Sequence, residues 1–294
     1  MLEKIKGAPI KEKIREEIIS DTEKLAEIGV VPKLATLRMG EDEGEKYYEG
    51  AIIKNAQGYG FEIETIVVGE GEDCGDDLKE KMTALNEDKD VHGIMMLMPF
   101  PDKAVEKELL GMLDPRKDID AVTESSYAKL FSNDKDAFYA CTAESCMEIL
   151  KYYVGDIKGK KVTVVGRSLR VGKPLLLMLM NANATVTVCH TRTTQEDLLK
   201  ACREADIVVL ATGQTESFDS GFFRDGQVIV DVGTGTGKDG KIAGDLNIKE
   251  IEESGKFSDL RYTPVPGGVG TVTTTLLLRN VIKAAKKANE DMLK

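Results

Sequence analysis

Tryptophan is absent from this chain of 294 residues, histidine occurs twice and cysteine five times. Two histidines cannot furnish a histidine-rich metal centre, and His92 has no cysteine, acid or second histidine at ligand spacing, so no metal is expected. The cysteines Cys74, Cys141, Cys146, Cys189 and Cys202 are odd in number and form no C-x-x-C pair, which argues against a disulfide framework or a zinc site and for a reducing compartment. Basic charge is short: 40 Lys and Arg face 51 Asp and Glu, a net charge of −11, the wrong sign for a surface that neutralises many phosphates. Nucleic acid is not expected as a partner. No apolar run reaches the roughly 18 residues of a membrane span, and the opening MLEKIKGAPIKEKIREE carries charges where a signal peptide needs a continuous apolar stretch. A cytoplasmic protein without a membrane partner is the expectation.

What the chain does have is 41% hydrophobic residues, enough at this length for two cores. Ile10, Ile14, Ile18 and Leu25 recur at helical spacing before Gly29, so a long amphipathic helix is predicted to open the protein. Strand-like KLATLRM, FEIETIVV and GIMMLMP then alternate with charged helical segments, and after Gly159 the rhythm restarts with VTVVG, TVTVC, IVVLA and VIVDVG. Such alternation predicts an α/β fold of βαβ units with mostly parallel sheets. The boundary is placed near Glu144 to Leu150, and a last helix from about Val272 to the end.

In VTVVGRSLRVGKP a buried strand runs into G-R-S-x-x-V-G and then a helix. Gly166 permits a sharp turn, Gly172 permits close packing of helix on strand, and the free N–H groups of the helix start attract a pyrophosphate. Ser168 lies within this turn. The same segment also reads as a purely structural βα turn. Where NAD sites place a carboxylate, the strand TVTVC is followed by His190, Thr191 and Arg192. A hydroxyl and a guanidinium there, with Arg167 nearby, point to the 2′-phosphate of NADP, with NAD as the alternative and solvated surface cations as the other reading of both arginines. His190 is read as positioning backbone or ribose.

Taken with VVPKLATLRMG, DPRKDIDA, ATGQ and AGD, the run YTPVPGGVGTVT makes the chain resemble the methylenetetrahydrofolate dehydrogenase/methenyltetrahydrofolate cyclohydrolase family over nearly its whole length. The resemblance implies two domains: a folate-site domain of residues 1–145 completed by 272–294, and a Rossmann-like domain of residues 146–271. It implies oxidation of a tetrahydrofolate-bound one-carbon unit, a homodimer, and a crevice between domains where folate and nicotinamide meet. It further implies that Thr212, Gly213, Val232, Gly233 and Thr234 line the cofactor, and that Pro266, Gly267 and Gly268 approach the flat ligands. The proline and glycine run reads equally as a rigid interdomain turn.

Against that resemblance two departures stand out. The family's folate helix reads Y-x-x-x-K-x-K, and counting back from Gly60 and Phe61 puts the tyrosine at Tyr48, the catalytic lysine at Ile52 and the second lysine at Lys54. Lys54 cannot substitute, because two residues along a helix turn a side chain through about 200°. The family glutamine that bonds the lysine falls on Leu97. An apolar pair thus replaces an amine and its partner together, which implies a dehydrogenase with weak or absent cyclohydrolase activity. Asp120 keeps the family's acid for the pterin nitrogens, Met98 and Pro99 are expected at the folate pocket, and Tyr47 is expected to pack. The rival readings are the ordinary bifunctional enzyme with a substitute group, a ligand-binding protein without chemistry, and a dehydrogenase for another small substrate.

Overall fold

The computed structural model describes residues 2–293 except 70, 72 and 73. In chain order the first half holds β1 (Leu2–Lys4), α1 (Ala8–Glu27), β2 (Lys33–Met39), α2 (Glu43–Gly58), β3 (Glu62–Val68), α3 (Cys74–Glu87), β4 (Gly93–Met96), α4 (Lys103–Met112) and α5 (Glu124–Phe131). There follow α6 (Cys141–Tyr153), β5 (Lys161–Val165), α7 (Gly172–Asn181), β6 (Thr185–Cys189), α8 (Gln195–Glu204) and β7 (Ile207–Leu210). The remainder is β8 (Gln227–Asp231), β9 (Gly235–Thr236), β10 (Ile242–Ala243), α9 (Ile248–Ser254), β11 (Leu260–Tyr262) and α10 (Gly270–Ala288). Residues 13–139 with 274–294 form one compact unit, and residues 1–12 with 140–273 the other.

In the first of these units β3, β2 and β4 make a three-stranded parallel sheet in that order. Period-two alternation sends β2 side chains to opposite faces. Ala35 and Leu37 join Leu78, Met82 and Leu85 of α3 and Leu109 of α4 in an apolar cluster. Thr36 and Arg38 point the other way and hydrogen-bond Glu49 of α2. The helix starts are fixed by side-chain oxygens: Asp42 accepts the Glu45 N–H at α2, Asp102 the Ala104 and Val105 N–H at α4, and Thr123 the Ser126 N–H at α5. The last helix closes on this unit, since Asn280 donates to the Ile119 carbonyl, Lys283 to that of Ala137, and Lys286 pairs with Asp21. Because β2 is followed by β3 on one side and later by β4 on the other, strand order reverses between β2 and β4. Open α/β sheets take ligands at such a point, at the carboxyl ends of the strands.

The other unit carries a six-stranded, all-parallel sheet in the order β1-β11-β8-β7-β5-β6, with its own reversal between β5 and β7. Strands β7 and β8 are buried along their length, whereas β6 stands at the sheet edge and shows mixed exposure, so the expectation of cover on both faces fails for that strand. Thr194 caps α8 by accepting the Asp197 N–H.

Three expectations need correction. Strand β1 precedes the helix and pairs with β11, so residues 2–12 belong with the unit of the larger sheet. Three residues are too few to show a period, and their partner lies far along the chain. The domain boundary falls between residues 139 and 140, not at 145, because the stretch Glu144 to Leu150 is inside α6. The final helix begins at Gly270, two positions before Val272.

Candidate functional site

In the larger sheet, β5 delivers the chain into the 166–172 turn. Gly166 has φ +135°, and a Cβ there would run into the Ala211 carbonyl at the end of β7. A Cβ on Gly172 would meet the Gly166 carbonyl and the Arg167 backbone. Both positions therefore exclude a side chain, one for the turn and one for close approach of α7 to β5. Ser168 Oγ accepts from the Val171 N–H at 3.1 Å and stabilises the turn. Val171, the residue before α7, provides no side-chain cap; the Gly172 N–H reaches Ser168 Oγ at 3.4 Å and the Lys173 N–H bonds the Ser168 carbonyl at 3.0 Å, so Ser168 closes the turn onto the helix start. Arg167 and Arg192 are both exposed, and neither makes an ion pair or side-chain hydrogen bond with the described residues. His190 organises the neighbouring turn: its Nδ1 accepts the Arg192 N–H at 3.2 Å, and its own N–H donates to Thr193 Oγ1 at 2.9 Å. Thr191 is exposed beside it.

Two aspartates not singled out from the sequence hold the other loops at this edge. Asp245 Oδ2 accepts from the Thr212 N–H (2.7 Å), Thr212 Oγ1 (2.9 Å) and the Gly213 N–H (3.3 Å). Asp231 Oδ1 accepts from the N–H groups of Gly233 and Asp245, and Oδ2 from that of Leu246. A Cβ on Gly233 would strike the Asp245 carboxylate, which explains the glycine between Val232 and Thr234. Burial, with the Asp245 charge adding to it, pushes the Asp231 carboxyl up to about 7. The signal was available in VIVDVG and AGD, where an acid sits close to a glycine at the end of β8 and just past β10, but only the fold joins the two segments. After β11, the Thr263 hydroxyl bonds the Asp231 N–H at 2.7 Å, and the loop turns through Gly267 at φ +108°. Pro266 and Gly267 are exposed, while Gly268 is buried and lies too close to the Pro264 carbonyl to carry a Cβ.

In the smaller sheet, α2 presents Tyr48 at 44% exposure. Tyr47 is 83% exposed, so the expectation that it packs is wrong: the helix turns it to solvent. Ile52 has no exposed surface, while Lys54 is exposed, in line with their different directions on the helix. The Leu97 N–H bonds the Leu37 carbonyl at 2.9 Å, continuing the β2·β4 ladder. Ile94 and Met96 belong to the α3/α4 cluster, so Leu97, 4% exposed, lies on the α2 face with Ile52. Met98 is half-buried and packs against the α3/α4 cluster, and Pro99 is exposed. Asp120 is half-buried in a turn that its neighbour Asp118 builds: fully buried Asp118 accepts from the N–H groups of Val122 and Thr123 and from the hydroxyls of Thr123 and Ser126. Asp118 is thus an architectural residue missed beside the expected one.

Elsewhere the chemistry is muted. All five cysteines are free thiols, and burial pushes Cys146 and Cys202 up to about 12, which makes them inert. Among the described residues no three His, Cys, Asp or Glu side chains converge as a metal site, and no helix is long and apolar enough to cross a membrane.

Known proteins fit this geometry. Residues 5–120 match the catalytic domain of tetrahydrofolate dehydrogenase/cyclohydrolase, and residues 140–289 match its NAD(P)-binding domain. Bifunctional protein FolD of Clostridium kluyveri is 40% identical over 287 residues, spanning 97% of this chain and 98% of that protein. The crystal structure of the bifunctional enzyme FolD from Campylobacter jejuni superposes with a TM-score of 0.89 at 32% identity, covering 98% of this chain and 99% of that one. The Trypanosoma brucei FolD, solved with NADP and an inhibitor, gives a TM-score of 0.86 at 28% identity, with 97% of each chain covered. Two glycine-gated turns at one sheet edge, an acid-bearing turn at the other and whole-length matches to both domains lead to one conclusion: the chain belongs to the tetrahydrofolate dehydrogenase/cyclohydrolase family.

Proposed function

We propose that this protein oxidises 5,10-methylenetetrahydrofolate to 5,10-methenyltetrahydrofolate with NADP as acceptor, and that its cyclohydrolase activity is weak or absent. The observation that carries the second half is the pair Ile52 and Leu97, both buried on the α2 face of the sheet. When bound, the nicotinamide supplies the hydride acceptor. The chain's own contribution is positioning. Tyr48 contacts the folate rings, Asp120 takes the pterin's nitrogen donors in a two-point hydrogen bond, and the 166–172 turn holds the pyrophosphate. Arg167, Arg192 and Thr191 meet the 2′-phosphate, which is the basis for NADP over NAD. Thr212, Gly213, Val232, Gly233 and Thr234 border the dinucleotide, and Pro266, Gly267 and Gly268 the ligand faces.

Hydrolysis of the methenyl product asks for more: water must attack carbon while a polar group moves a proton. Neither Ile52 nor Leu97 can take part. The second reading, a bifunctional enzyme with a substitute group, is favoured by the bifunctional relative at 40% identity. A cationic candidate beside Leu97 along the sheet is Arg38, whose guanidinium is already committed to Glu49 and the Gly40 carbonyl. Purified protein given methenyltetrahydrofolate decides between them: hydrolysis well above the buffer rate overturns the single-activity reading. With methylenetetrahydrofolate and NADP, absorbance at the reduced-nicotinamide band is expected to grow, and no growth overturns the dehydrogenase. A homodimer belongs to the same reading, and sedimentation at the monomer mass overturns it.

A further inference from the structure

Arg38 and Glu49 form a buried ion pair that the proposed chemistry leaves unused. Arg38 Nε donates to Glu49 Oε2 at 2.9 Å, Nη1 donates to the Gly40 carbonyl, and Glu49 Oε1 takes the Thr36 hydroxyl at 2.5 Å. The two residues are 7% and 4% exposed. A buried pair of this kind is rarely more stabilising than two well-packed apolar side chains, because desolvation offsets the attraction. Its position is informative. Leu37 is the register partner of Met96, so Arg38 lies alongside Leu97 across the strand-order reversal. Glu49 follows Tyr48 directly and precedes Ile52 by one helical turn. The guanidinium is not sealed: its side chain keeps 9% of its surface, and Nη2 bonds none of the described residues.

We propose that Arg38, held in orientation by Glu49, is a substrate-binding residue that offers its Nη2 edge to an acceptor of the pterin, taking over one position across the sheet the polar contact that Leu97 cannot make. This rests on the folate reading above. It also fits a site that binds without moving protons, since a guanidinium remains charged. The test is steady-state kinetics on Arg38→Met/Glu49→Met, which removes both charges and leaves neither buried alone. The Michaelis constant for methylenetetrahydrofolate should rise about tenfold, the value of one charge-assisted hydrogen bond, with that for NADP unchanged. Arg38→Lys keeps a positive charge opposite Glu49 but loses the Nη2 edge, so in the folded variant the folate constant should rise while that for NADP stays unchanged. Folded variants whose folate constant stays within about twofold of the parent overturn the proposal and leave a structural pair. Titration of the parent protein with tetrahydrofolate keeps the two readings apart, because absence of binding overturns the folate assignment as well.

Discussion

The proposal that Ile52 and Leu97 stand where an amine and its partner would act is tested most sharply by putting that pair in place. Ile52 has no exposed surface, so Ile52→Lys puts an ammonium in a dry environment. Burial of that kind lowers a lysine pKa by about 3–5 units, or about 4–7 kcal/mol at 1.36 kcal/mol per unit. Glu49, one turn earlier, offsets little of the charge, because its own charge is already paired with Arg38. Against a typical total stability of about 5–15 kcal/mol, the single variant should be barely folded at neutral pH and firmer in alkali, where the amine is neutral. Adding Leu97→Gln supplies an acceptor on the same face and should return about 1.5–3 kcal/mol. Urea unfolding of parent, both single variants and the double variant measures the coupling, and the methenyltetrahydrofolate assay should show hydrolysis in the double variant above the parent. Additivity of the two substitutions within about 0.5 kcal/mol would mean that the positions do not meet, and the reasoning would fall with it.

The dinucleotide unit offers three further tests. Gly172→Ala drives a methyl into the Gly166 and Arg167 backbone, which has no flexible end to move, so a loss of about 1–3 kcal/mol or more and weakened NADP binding are expected by thermal melting and cofactor titration. Arg192→Ala should leave the melting temperature unchanged, because the side chain bonds nothing among the described residues, while raising the Michaelis constant for NADP several-fold and not that for NAD; equal effects on both would refute the 2′-phosphate assignment. Asp231, raised from 3.8 to about 7, binds a proton in the folded state that the unfolded chain has already released. Stability should therefore fall as pH rises from about 4 to about 7 and level off above, by on the order of 4 kcal/mol at 1.36 kcal/mol per unit. Asp231→Asn should remove that slope in denaturation curves taken across the window, and an unchanged slope would assign it to other groups.

The sequence alone determined the α/β class, the alternating order of strands and helices and the glycine turn of residues 166–172, because these depend on local signals. Ile10, Ile14, Ile18 and Leu25 announce one buried helical face at period 3.6, and Gly166 and Gly172 sit where a strand must turn tightly into a helix. That Ile52 and Leu97 are both buried is observed, whereas their proposed place in the folate motifs rests on counting along the sequence. Tertiary structure alone decided where β1 pairs, that Asp231 and Asp245 brace the loops around the dinucleotide turn, that Met98 faces the α3/α4 cluster, and that Arg38 and Glu49 meet beside Leu97. Each of those contacts joins residues through strand pairing or sheet-face geometry that no short window of sequence contains. Period and turn chemistry act over a few residues, whereas the register between strands is set by burying both partners at once.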